Sequence, residues 1–144
     1  MKPVDVYLSL GSNQGDRQAM LDEALRRLDA AIGRPYAALS SVFETPAWGF
    51  DGPAFLNCVV RYRTARRPHT LLRICKRIER AMGRRETLEY DAEGRRIYHD
   101  RPIDIDILLY GDERVDTPDL QIPHPLMRQR DFIMRPLNEI FAQK

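Results

Sequence analysis

The chain has 144 residues, 43% hydrophobic and 31% charged, proportions that suit one domain with its own core. No apolar run reaches the ~18 residues that a membrane-spanning helix needs. The net charge is only +2, yet 13 of the 23 basic residues lie between Arg61 and Arg101 alongside 6 acidic ones, a local excess that either attracts phosphates or forms a solvated face.

Asp5 interrupts the apolar stretch that a secretion leader requires, so the expected location is the cytoplasm. Val4 to Leu10 alternates with period two and is expected as a strand. The turn Gly11-Ser12-Asn13-Gln14-Gly15 follows. Asp16 then caps a helix whose apolar face is Met20, Leu21, Ala24, Leu25, Leu28 and Ile32, ended by Gly33 and Pro35. Leu39 to Glu44 reads as a second strand. A Pro/Gly-rich loop from Thr45 to Pro53 carries Trp48 and Phe50, and Phe55 to Thr64 reads as a third strand. Pro68 suits the first position of a second helix, with Leu71, Leu72, Cys75, Ile78 and Met82 inward and Gly83 closing it. Cys58 and Cys75 have no nearby histidine and read as buried thiols rather than zinc ligands.

Arg84 to Arg101 has no periodicity and holds five arginines, Arg84, Arg85, Arg95, Arg96 and Arg101. Stretches of this length are usually functional or disordered, and here a lid over the substrates is expected. Ile103 to Tyr110 is a fourth strand. A hairpin-like excursion follows from Asp112 to Thr117, then a helix from Pro125 to Met134 that Pro136 breaks or restarts. The order β-α-β-β-α-β predicts a single α+β domain over residues 1–144. The expected form is a ferredoxin-like sandwich, its mainly antiparallel sheet carrying helices on one side.

Chemistry concentrates in Arg101-Pro102-Ile103-Asp104-Ile105-Asp106-Ile107. In a strand, Asp104 and Asp106 share one face, with Cα atoms about 6.6 Å apart. Aspartate is disfavoured in strands and like charges repel, so a cation such as Mg²⁺ with ATP phosphates is the natural compensation. An ordinary strand with an acidic outer face has the same spacing. The neighbouring arginines favour the metal reading, because phosphoryl transfer is catalysed by positioning and charge neutralisation. No G-x-x-x-x-G-K-[ST] motif occurs, which excludes a P-loop. His124 suits a phosphate contact or a structural role. Asn57, among apolar residues, must be hydrogen-bonded either to backbone or to a polar heterocycle. Phe55 and Phe132 suit a core or a stacking platform, and Trp48 a ligand or the surface.

In order along nearly the whole chain, these segments resemble 6-hydroxymethyl-7,8-dihydropterin pyrophosphokinases of folate biosynthesis. The segments are Tyr7-Leu8-Ser9-Leu10-Gly11-Ser12-Asn13, Ser41-Val42-Phe43-Glu44-Thr45-Pro46, Phe55-Leu56-Asn57, Ile78-Glu79, Gly83-Arg84, the aspartate motif and Pro123-His124-Pro125. The resemblance implies diphosphate transfer from the co-substrate ATP to the pterin hydroxymethyl group, with AMP released. It implies two Mg²⁺ ions on Asp104 and Asp106. Thr45, Pro46, Trp48, Phe55, Asn57 and Phe132 would bind the pterin. Glu79, Ile107, His124 and Arg130 would bind ATP, and Arg84 and Arg101 would neutralise charge on the transferred group. Departures from the family pattern are Glu86 in place of a second arginine, a longer stretch before Asp104, and Leu126 in place of an arginine after His-Pro.

The expected protein is a monomer acting on these two small molecules, with no nucleic-acid or membrane partner. The rival reading is a phosphate- or RNA-binding ferredoxin-like module without catalysis. Two aspartates on a central strand would repel a nucleic-acid backbone, and no aromatic RNA-binding strand motif is present.

Overall fold

The computed structural model describes residues 2–46, 52–83, 89–90, 92–94, 96–97 and 102–143. The main sheet is built from β1 (Val4–Ser12), β2 (Ala38–Leu39), β3 (Phe43–Thr45), β4 (Phe55–Thr64) and β7 (Asp104–Tyr110). Its order is β2-β4-β1-β7, with β3 also on β4, and every pairing is antiparallel. Two small ladders stand apart: β5 (Glu89–Tyr90) with β6 (Arg96–Ile97), and β8 (Val115–Thr117) with β9 (Leu120–Ile122). The helices are α1 (Arg17–Ile32), α2 (Pro68–Ala81) and α3 (Asp131–Ala142).

Local chemistry sets the helix ends. The Asp16 Oδ1 accepts from the Ala19 N–H at 3.0 Å, and Gly33 takes the left-handed conformation that closes α1. Pro68 occupies the first turn of α2, where its missing N–H costs nothing. The inward side chains of α1 and α2, among them Leu21, Leu28, Leu71 and Cys75, meet Val6, Leu8, Leu10, Val60 and Ile105 in one core. Each large apolar side chain buried there contributes about 1.5–3 kcal/mol. A second core lies on the opposite sheet face, where Ile133, Leu137 and Ile140 of α3 cover Val59 and Leu108. The helices therefore occupy both sides of the sheet, not the single side expected.

Four other expectations change. β1 runs on through Gly11 and Ser12, because these pair with Asn57 and Leu56 instead of turning away. The second strand is split. Ser40 accepts from the Val59 N–H through its Oγ and interrupts the ladder between β2 and β3. The segment from Pro125 holds only a 3-10 turn at Met127–Gln129, and α3 then starts at Asp131 with Pro136 inside it. The strand bearing the aspartates lies at an end of the sheet path, not at its centre. Within the arginine-rich stretch, the β5–β6 ladder is described. Arg84, Arg85, Arg95 and Arg101 lie outside the described residues, as does Trp48, so the expected lid falls largely outside them too.

Candidate active site

Strand register assembles the site on the face that α3 covers. Asp104 is opposite Gly11, Gly11 opposite Asn57, and Asn57 opposite Phe43, so the four form one row across β7, β1, β4 and β3. Directly opposed residues of an antiparallel sheet project to the same face. Asp106 stands opposite Ser9 in the adjacent row. Ile103, Ile105 and Ile107 belong to the core on the other face, as the alternation requires. A bulge follows, where Leu108 is the extra residue between the pairs Leu8–Ile107 and Tyr7–Leu109.

The outer edge of β7 is covered by two polar contacts. The buried Glu79 of α2 accepts the Ile105 N–H through its Oε2 at 2.7 Å, and the Leu108 carbonyl accepts the His124 N–H at 3.0 Å. Glu79 also lies 3.6 Å from the Lys76 ammonium. Between α2, this edge and the β8–β9 hairpin opens a cleft of about 240 Å³, lined by Leu72, Lys76, Asp106, Ile107, Gln121 and His124 among others. Asp106, Ile107 and His124 are thereby brought together, while Glu79 sits beneath them within the core.

Negative charge is crowded here. Burial, then the Asp104 and Glu79 carboxylates, push the Asp106 carboxyl up to about 7, against the pull of Lys76 and Arg130. A divalent cation held by the two aspartates would relieve that crowding. Among the described residues no group of three or more metal-ligating side chains gathers. The two aspartates thus match the Mg²⁺ habit of taking one or two carboxylates and completing its shell with phosphate oxygens and water. The residues present fit the ion.

His124 is half-buried. Burial and the Arg130 charge lower its pKa, which Asp104 partly restores. Its Nδ1 accepts the Leu126 N–H at 3.3 Å. The neutral ring then carries its proton on Nε2, which makes that atom a donor. The Arg130 guanidinium lies 5.6 Å from the Phe132 ring centroid, linking the charged end of the site to α3.

At the other end of the row, the Asn57 Nδ2 donates to Thr45 Oγ1 at 2.6 Å, so the partner of this buried amide is a side-chain hydroxyl rather than backbone. Phe55 is opposite Thr45 and half-buried, and Pro46 is exposed just after β3. The segment entering Phe55 is fastened to the start of α1: Arg17 donates to the Ala54 carbonyl at 2.8 Å and pairs with Glu44 at 2.8 Å. Asn13 donates to the Pro53 carbonyl at 3.2 Å. Leu72 was expected only as an inward helix residue and Gly11 only as part of a turn and of the opening segment, while Lys76 was given no role. The i,i+3 pairing of Lys76 with Glu79 was the one available signal for Lys76; the other two depend on tertiary contacts alone.

Paired oxygen ligands beside a neutral imidazole and a guanidinium, next to a polar slot, are the equipment of a magnesium-dependent enzyme that transfers phosphoryl groups. Comparison with known proteins narrows this class. Residues 7–142 match the family described as 7,8-dihydro-6-hydroxymethylpterin-pyrophosphokinase. A 2-amino-4-hydroxy-6-hydroxymethyldihydropteridine pyrophosphokinase of Porphyromonas gingivalis is 47% identical over 137 residues, covering 94% of this chain and 89% of that protein. One of Aquifex aeolicus is 40% identical over 136 residues, covering 94% and 79%. A solved HPPK-DHPS structure in complex with substrates has a TM-score of 0.75 at 15% identity. It covers 99% of this chain but only 41% of its own, and it bears on the fold alone. The chain belongs to the 7,8-dihydro-6-hydroxymethylpterin-pyrophosphokinase family.

Proposed function

We propose that the chain transfers diphosphate from ATP to the hydroxymethyl group of 6-hydroxymethyl-7,8-dihydropterin and releases AMP, a step of folate biosynthesis. Family membership supports the reaction, and the row Asp104–Gly11–Asn57 carries its assignment to this sheet face. The pterin hydroxymethyl oxygen forms a bond to the β-phosphorus of ATP. The bond from that phosphorus to the α,β-bridging oxygen breaks, its electron pair leaves with AMP, and the hydroxyl proton passes to solvent.

Asp104 and Asp106 would hold Mg²⁺, two ions being what the family resemblance implies. Bound there, magnesium neutralises phosphate charge and polarises the reacting oxygens. His124 Nε2 and the Arg130 guanidinium donate to the phosphates. The adenine enters the cleft beside Ile107, on the strand edge that Ile105 shares with it. Glu79 acts through the Ile105 backbone. Thr45, Pro46, Asn57, Phe55, Phe132 and Trp48 receive the pterin, with stacking supplying area and the amide supplying orientation. Arg84 and Arg101 complete the charge neutralisation.

The strand order and all-antiparallel pairing support a ferredoxin-like frame, with the whole chain acting as one domain. Two buried free thiols, with Cys58 pushed up to about 12 by burial, suit the reducing cytoplasm. An RNA-binding role is not favoured, because the family match and the named relatives are pyrophosphokinases.

A chromatographic assay with ATP, Mg²⁺ and the pterin tests the reading. AMP is expected only when the pterin is present. ADP in its place would overturn diphosphate transfer, and unchanged ATP with folded protein would overturn catalysis on this substrate.

A further inference from the structure

Gly11 stands directly between Asp104 and Asn57, at the seam of the two halves of the site. Its φ is not among the positive values that favour glycine, so its backbone accommodates any residue. Space is what excludes a side chain. A Cβ at this position would lie 2.9 Å from Asn57 Oδ1 and 3.4 Å from Phe55 Cδ1. Real Cβ atoms essentially never approach another heavy atom as closely as the first distance. The amide has little room to retreat, because its Nδ2 is bonded to Thr45 Oγ1 at 2.6 Å and Asn57 is 7% exposed.

We propose that Gly11 is a positioning residue for heterocycle recognition: the bare Cα lets the Asn57 amide lie along the sheet, held by Thr45 at its nitrogen and passing over Gly11 at its oxygen. The inference rests on the reading that Asn57 and Phe55 receive the pterin. A methyl group at position 11 rotates or lifts the amide and tilts the Phe55 ring, so the polar edge of the substrate meets a misplaced partner. Asp104 and Asp106, on the neighbouring strand at the other side of β1, are left alone, because the clash is directed at β4 and not at β7.

The test is a double-mutant cycle on Gly11→Ala and Asn57→Ala, with binding of a fluorescent ATP analogue and Mg²⁺ measured in parallel. Gly11→Ala is expected to raise the pterin KM about tenfold, while kcat stays within about threefold and analogue affinity within about twofold. In the Asn57→Ala background, where the displaced amide is gone, the same change is expected to add less than about twofold. A merely structural role would add its full effect there. The double variant also keeps the test open should the single variant fail to fold. A wild-type pterin KM in Gly11→Ala, or an additive effect in the Asn57→Ala background, would overturn the positioning role. A wild-type pterin KM in Asn57→Ala alone would remove the pterin reading first, and the role of Gly11 with it.

Discussion

The Asp106 carboxyl is held up to about 7 by burial and by its acidic neighbours, from an ordinary value of 3.8. The folded state therefore binds this proton more tightly than the unfolded chain does. Its favourable contribution is present at low pH and is lost as pH rises from about 4 through about 7, so ligand-free protein at pH 8 carries the whole penalty. Asp106→Asn is expected to stabilise the magnesium-free protein at pH 8 by about 2 kcal/mol, visible as a rise of several degrees in Tm, and to do much less at pH 5. The same substitution, like Asp106→Ala, is expected to lower turnover by about 1000-fold or more with the fold intact. Turnover at the wild-type rate would remove the metal assignment, and an unchanged Tm at pH 8 would contradict the charge crowding. At His124 the ring donates through Nε2 because Nδ1 is already occupied by the Leu126 N–H. His124→Ala is expected to raise the KM for ATP about tenfold, the worth of one hydrogen bond to a charged group, and to leave the pterin KM unchanged. Initial rates with each substrate varied in turn distinguish these outcomes.

Besides the core they share, α2 and β7 are joined by one buried bond, from the Ile105 N–H to Glu79. Glu79→Ala strands that N–H in the core and is expected to cost about 2–3 kcal/mol in urea unfolding. Glu79→Gln keeps an acceptor oxygen and is expected to recover most of that loss; equal destabilisation by the two variants would show that the bond matters less than the charge. The burial of Glu79 was not legible in the sequence, since it sits among Lys76, Arg77 and Arg80 on a helix whose polar residues all read as outward. Elements with strong periodicity were legible: Phe55–Thr64 as a strand to both ends, the second helix from Pro68, though it stops at Ala81 and not at the expected Gly83, and the first helix bounded by Asp16 and Gly33. Elements defined by partners were not. Gly11 and Ser12 read as a turn until β4 is placed beside them, and Ser40 breaks its strand only because Val59 lies within reach. The β8–β9 hairpin extends further than expected because its second strand packs Leu120 and Ile122 into the core.

Across the whole chain, an apolar stripe on a helix states that the helix is covered but not by which face of the sheet. That is why α3 was expected beside α1 and α2 and is found opposite them. The aspartate pair was readable because its spacing alone puts both carboxylates on one face; which helix would cover that face was not. The opposite placement makes the second core a support for the site. Leu137, fully buried there, sits on the helix that carries Phe132. Leu137→Ala is expected to cost about 2–5 kcal/mol and to raise the pterin KM, measured by denaturant unfolding and initial rates. A destabilised variant with normal pterin KM would show that α3 is held independently of its core. The edge of β7 has a different consequence. A terminal strand of alternating isoleucines is a ready template for another chain to pair with, and such edges seed aggregation. Here Glu79 occupies the Ile105 N–H and His124 occupies the Leu108 carbonyl, leaving the stretch between them to the cleft. The base of a bound nucleotide, lying against that stretch, would take the place of the missing neighbour strand. A nucleotide held there would shield the backbone that this edge leaves open.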